Sequence, residues 1–213
     1  MRGGFILLML CLMLCFSSVG FTQSFEVGVS GGQSEFVGNT SLGTVTADPA
    51  SGEYKIKDGF RLTIRLTLNQ GRFLGHEFGY SHSFTSVDVP AITTTTGLLG
   101  ATTTPAQNVG VGINQGFYDF LFYPTPEGTR VRPFVAGGVQ FSSFAAPGTS
   151  VYYGNQPTKY GFNYGGGMKV RFSTYWGVRF DVRWYNSGKP FDFPNQTGRL
   201  QQLEIGGGLT FNL

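Results

Sequence analysis

From residue 24 onward, large apolar side chains return at every second position, the period of a strand that turns one face to an apolar phase. Phe25, Val27 and Val29 open the first run, and Phe60, Leu62, Ile64, Leu66 and Leu68 form the second. Leu74, His76, Phe78, Tyr80 and Phe84 mark the third. The fourth lies within residues 113–123, where Phe117/Leu121 and Tyr118/Phe120/Phe122 are both apolar sets, so its facing stays open. Val131, Pro133, Val135, Gly137, Val139 and Phe141 give the fifth run, and Phe162, Tyr164, Met168, Val170 and Phe172 the sixth. Trp176, Val178, Phe180, Val182 and Trp184 give the seventh, and Leu203, Ile205, Leu209, Phe211 and Leu213 the eighth. Each is about 9–12 residues, the length of a tilted strand that crosses a bilayer.

The connections alternate in length. Asn69 to Phe73, Pro124 to Arg130 and Ser173-Thr174 are short. Gly32 to Asp58, Thr85 to Gly112, Ala145 to Tyr160 and Asn186 to Gln201 are long and rich in Gly, Thr, Pro and Asn. In an up-and-down barrel, strict alternation gathers the short turns on one rim and the long loops on the other, the asymmetry of outer-membrane barrels. The pattern predicts an all-β, eight-stranded, antiparallel transmembrane barrel over residues 24–213.

The positions between the apolar residues decide which face is which. Glu26, Arg61, Arg65, Glu77, Asp119, Arg132, Lys169, Arg171, Arg179, Asp181, Arg183 and Glu204 all fall opposite the apolar face. Eight strands enclose a lumen that side chains just fill. Charges of both signs in so narrow a space are stable only as pairs. The expectation is a salt-bridged plug, largely closed, with apolar groups facing lipid. Aromatic residues collect at strand ends: Phe122, Tyr123, Phe172, Tyr175, Trp176 and Phe211 toward the turns, Phe60, Phe84, Phe162, Trp184 and Tyr185 toward the loops. Two such sets are expected as interfacial girdles.

Composition narrows the classes further. Charged residues are only 13% of the 213, with a formal net charge of +3, while there are 33 glycines and 21 phenylalanines. The charge is too small and scattered to point to nucleic acid. The opening, Met1-Arg2-Gly3-Gly4 followed by the apolar run Phe5 to Phe16 and then Ser17-Ser18-Val19-Gly20, predicts a cleaved signal peptide over residues 1–20, cut between Gly20 and Gln23. Cys11 and Cys15 lie within it, so the exported chain is expected to carry neither disulfide nor thiolate metal site.

Candidate chemistry is sparse, and no catalytic, cofactor-binding or metal residue is expected. His76-Glu77 is followed by His82 at i+6, not the i+4 spacing of a helical zinc motif. Glu77, Ser81, His82 and Ser83 form the best hydrolytic set, and the alternative function is a lipid-modifying enzyme built on them. Alternation, however, places His82 on the face opposite both serines. A small porin is the other alternative.

Three segments carry a resemblance: Arg132-Pro133-Phe134-Val135-Ala136-Gly137-Gly138, Phe162-Asn163-Tyr164-Gly165-Gly166-Gly167-Met168-Lys169 and Trp176-Gly177-Val178-Arg179-Phe180-Asp181-Val182-Arg183. With them, the chain resembles the small eight-stranded OmpA/OmpX/opacity-type outer-membrane barrels over residues 24–213. The last strand, Leu203 to Phe211, resembles that family's C-terminal assembly signal, although Asn212 and Leu213 follow Phe211. No segment resembles the peptidoglycan-binding domain of OmpA-type proteins. The resemblance implies a bacterial outer-membrane location, with outer-membrane lipid and the barrel-assembly machinery as partners and an external ligand of unknown identity at the long loops. It also implies a structural or surface-interaction role without cofactor.

Overall fold

The computed structural model describes residues 24–95, 101–145 and 157–213. The expected signal peptide lies outside the described residues, as do residues 96–100 and 146–156 of two long connections.

Among the described residues twelve strands follow in order: β1 (Ser24–Val37), β2 (Ser41–Thr44), β3 (Glu53–Ile56), β4 (Gly59–Gln70), β5 (Leu74–Val89), β6 (Ile92–Thr95), β7 (Ala101–Thr104), β8 (Gln107–Phe122), β9 (Val131–Ala145), β10 (Thr158–Arg171), β11 (Trp176–Ser187) and β12 (Leu200–Asn212). Eight are long and antiparallel. β1 pairs with β4, β4 with β5, β5 with β8, and β8 through β12 pair in sequence. β12 returns to β1, with Glu26 opposite Asn212 and Val37 opposite Gln201, so no long edge is left open. The two short hairpins belong to the loop side. β2–β3 extends the sheet beside β5 through Lys55↔Asp88 and Ile56↔Val87, while β6–β7, among the described residues, pairs only with itself.

Alternation sets the two faces. Val139 is 62% exposed and Phe120 59%, on a surface where Phe78, Val135, Phe180, Ile205 and Leu209 are also exposed. Large apolar groups facing outward around the whole barrel are stable against hydrocarbon, not water. The fourth run resolves with Phe117, Asp119 and Leu121 inward and Tyr118, Phe120 and Phe122 outward, because Asp119 stands opposite Glu77 in the ladder.

The strands run further than the outward pattern indicates. β5 and β8 have 16 residues each, and residues 85–89 and 107–112 belong to them, not to a loop. On the loop side the outward face meets water, so the apolar signal moves to the inward positions and the lipid-facing period stops marking the strand.

Closing so small a barrel demands close backbone approach at the seam. Ser30, Gly31 and Gly32 stand opposite Gly208, Gly207 and Gly206. A Cβ on Gly208 would lie 2.1 Å from the Val29 carbonyl oxygen, and one on Gly32 would lie 2.4 Å from that of Ile205. Only glycine fits there, and the tight coil of the seam follows.

Candidate functional site

The lumen is layered. At the turn side Glu26 receives a bond of 2.7 Å from Lys169 Nζ, which also donates to the Tyr123 hydroxyl at 3.1 Å. The Arg132 guanidinium lies 3.5 Å from the centre of the Tyr123 ring and donates to Asn69 Oδ1 and the Arg72 carbonyl.

The next layer is a fused ion network. Arg183 reaches Asp119 at 2.6 Å, Glu77 at 2.9 Å and Asp181 at 3.3 Å. Arg179 grips both oxygens of Glu77 and approaches Asp181 at 3.5 Å. Arg65 joins it to the layer above, at 3.3 Å from Asp181 and 3.6 Å from Glu204, while donating to Ser30 Oγ. Arg61 completes that upper layer, 3.2 Å from Glu204 and with its guanidinium 4.0 Å from the Tyr185 ring centre. The Tyr185 hydroxyl donates to Glu204 at 3.0 Å. Four arginines and four carboxylates thus fill the middle of the barrel as a neutral set, all buried. Buried charge of this density persists only when each group has a partner of opposite sign.

Above the charges lies an amide layer. Gln115 donates to Ser142 Oγ and Gln202 Oε1, both at 3.0 Å, and Gln202 donates onward to Ser34 and Ser83. Above that, the inward positions become apolar. Ion pairs, amides and aliphatic groups follow one another from the turn rim to the loop rim.

The structure buries eleven of the twelve charges read as luminal: Glu26, Arg61, Arg65, Glu77, Asp119, Arg132, Lys169, Arg179, Asp181, Arg183 and Glu204. Arg171 differs. It is half-buried at the turn-side mouth, where β10 ends, and its amide donates to the Arg130 carbonyl. Phe60, Phe84, Phe122, Phe162, Phe172, Tyr175 and Trp176 are exposed at the strand ends, and Trp184 and Phe211 are half-buried there.

Tyr123 and Tyr185 are corrections to the girdles. They are 0% and 2% exposed and face the lumen, because each continues the inward phase of Leu121 and Arg183. Their hydroxyls are satisfied by Lys169 and Glu204, and their rings face Arg132 and Arg61. Phe144 likewise turns inward. The amide layer was missed because Gln and Ser carry no charge, but the same period of two marks it.

The hydrolytic set is not brought together. His82 Nδ1 lies 2.7 Å from Asn114 Oδ1 on the lipid-facing side, where Tyr80 also donates to that oxygen at 2.7 Å. Ser81 and Ser83 are buried in the lumen, and Glu77 is held by three arginines. Among the described residues, no three His, Asp or Glu side chains gather as metal ligands would.

At the loop rim, outside the span, Lys57 and Asp88 pair at 2.8 Å, and Asn108 donates to Asp88 at 2.7 Å. These bonds hold the Asp88 carboxyl below its usual range and raise the Lys57 amine. Lys189 is buried beneath the β2–β3 hairpin, donating to the Ser41 carbonyl, and burial lowers its pKa.

Residues 8–211 match the family described as outer membrane protein β-barrel domain. No curated protein sequence matches the chain. Among solved structures, the chain is similar to the outer membrane protein OprG of Pseudomonas aeruginosa, with a TM-score of 0.60 and 12% identity over 89% of this chain and 95% of that one. It is also similar to Neisserial surface protein A, with a TM-score of 0.52 and 10% identity over 89% and 96%. At such identities the likeness is one of fold.

Proposed function

The chain belongs to the outer membrane protein β-barrel domain family, and from that premise we propose that it is a non-enzymatic surface protein, anchored by its barrel and acting through its long loops. One observation carries the reading: the barrel core is occupied by its own ion network, while the β2–β3 hairpin and the loop before β12 are bonded to each other at one rim. A lumen filled with paired charges supports an anchor more than a channel. The separation of His82 from both serines and the capture of Glu77 by arginines weigh against hydrolysis.

In this reading the leader directs export and is removed, the last strand engages the barrel-assembly machinery, and the loop rim faces the exterior. The test uses intact cells that produce the full chain carrying Asp192→Cys, a position in the loop before β12. A membrane-impermeant maleimide should label that cysteine without permeabilisation. The mass profiles of lipid A and phospholipids should match those of cells lacking the protein. A lipid mass change that depends on the native chain and disappears with His82→Ala would overturn the non-enzymatic reading.

A further inference from the structure

The strands continue above the amide layer, and there the inward face becomes aliphatic and aromatic. Phe36, Val87, Val111, Ile113, Phe144 and Leu200 are buried in one cluster. Standing in water, such a barrel end needs a roof. Leu42 and Ile56 of the β2–β3 hairpin supply part of it, and Tyr54, Phe191 and Phe193 pack against them. The Tyr54 and Phe193 rings stack with centroids 4.4 Å apart.

The loop that carries this roof is strained and pinned. Phe191, Asp192 and Asn195 have φ of 70°, 45° and 54°, the left-handed region that a Cβ disfavours. The Asn195 amide donates to Thr44 Oγ1 at 2.9 Å and to the Ala47 carbonyl at 3.0 Å. Gln196 donates to the Leu42 and Pro190 carbonyls, both at 2.7 Å. The Thr44 amide donates to the Pro194 carbonyl at 2.8 Å. Backbone held so firmly in an unfavourable conformation marks a shaped surface.

The roof does not fill the space below it. A half-open pocket of about 220 Å³ remains, lined among others by Leu42, Tyr54, Val87, Val111, Phe191 and Phe193, and its walls are apolar throughout. Water there would find no hydrogen-bond partner on the walls. An enclosed apolar cavity of about 150 Å³ can stay dry and take up benzene, so a pocket of this size and lining has room for one ring. Beneath lie the apolar cluster, the amides and the ion network, so the cavity is blind toward the turn side.

We propose that this cavity is a binding site for a small uncharged apolar molecule, a one-ring aromatic or a short branched aliphatic, admitted from the loop rim. A charged or strongly hydrogen-bonding ligand would lose its hydration and gain no partner. Binding depends only on the cavity; that the ligand arrives from outside the cell rests on the surface reading above.

The experiment uses the mature chain in phosphatidylcholine nanodiscs, since detergent tails would compete for the site. Methyl NMR follows a titration with toluene. Leu42, Val87 and Val111 methyls should shift saturably, while the lipid-facing methyls of Val139 and Leu209 should drift without saturating. Val111→Phe, which fills the cavity, should raise the half-saturating concentration by about tenfold or more. Val89→Phe, at a less buried part of the wall, should do the same with less risk to folding, its native state checked by heat-modifiable gel migration. If the cavity methyls merely follow the lipid-facing ones, or if both folded variants bind as the native chain does, the site is refuted. The Asp192→Cys labelling decides the other premise independently: an unlabelled cysteine overturns the outward orientation, whatever the titration gives.

Discussion

Glu77 accepts from Arg179 and Arg183 and lies 3.7 Å from Arg65, so three cations are neutralised in part by one carboxylate. Glu77→Ala should therefore destabilise the barrel by about 3–5 kcal/mol, the range for stranding buried charge. Heat-modifiable gel migration should report this as unfolding at lower temperature. Glu77→Leu combined with Arg179→Leu should cost less than Glu77→Leu alone, because one stranded cation is removed with the anion. A smaller effect belongs to Asp88. Its pKa is lower in the folded chain than in the unfolded one, so its contribution is present above the ordinary carboxylate value near 4 and is lost as pH falls through the folded value. Protection factors of the β3 amides, measured from pH 6 downward, should fall below about pH 4, and Asp88→Asn should remove that dependence. Most luminal charges were legible one by one, because a charge amid alternating apolar residues has only one face to occupy; Asp119 lay in the run with two apolar sets, and Arg171 reaches only the turn-side mouth. Tyr123 and Tyr185 were not, since an aromatic ring with a hydroxyl suits a membrane interface and an arginine-lined lumen equally well.

At the level of strands, the glycines of β12 set what the seam tolerates. Gly208→Ala would press its methyl against the Val29 carbonyl oxygen and the Ser30 Cα, both backbone atoms that cannot rotate away. The expected cost is about 1–3 kcal/mol, read from urea unfolding in lipid vesicles. Gly128→Ala is the control for a backbone effect alone: it has φ 92° in the turn before β9, and an added Cβ would meet nothing within 4 Å. Eight strands and the alternation of short and long connections could be read from residue types, but their outer limits could not. Over Val87, Val89, Val109 and Val111 the solvent changes from hydrocarbon to water, and the apolar residues change sides with it. The β2–β3 hairpin was hidden for another reason: Ser41–Thr44 is four residues long and contains a glycine at φ 127°, too short to display a period.

Across the whole molecule, ions would have to pass an ion network, an amide layer and an apolar cluster in succession. No steady conductance is expected from the monomer in planar bilayers, only small and infrequent openings. A persistent, large, ohmic current would show that these layers part readily and would favour the porin alternative. The pairing of β1 with β12 bears on time as much as on shape. Glu26 and Asn212 are register partners, so the ring cannot be completed until the whole of β12 has been delivered. Until then two long edges stay unsatisfied, and the arginines and carboxylates of the middle layer lack the enclosure that makes their pairing favourable. A chain that lost β12 would keep every earlier strand and still have no finished state to reach. The seam between β1 and β12 thus makes assembly conditional: every other pairing can exist in an open sheet, but the enclosed lumen cannot.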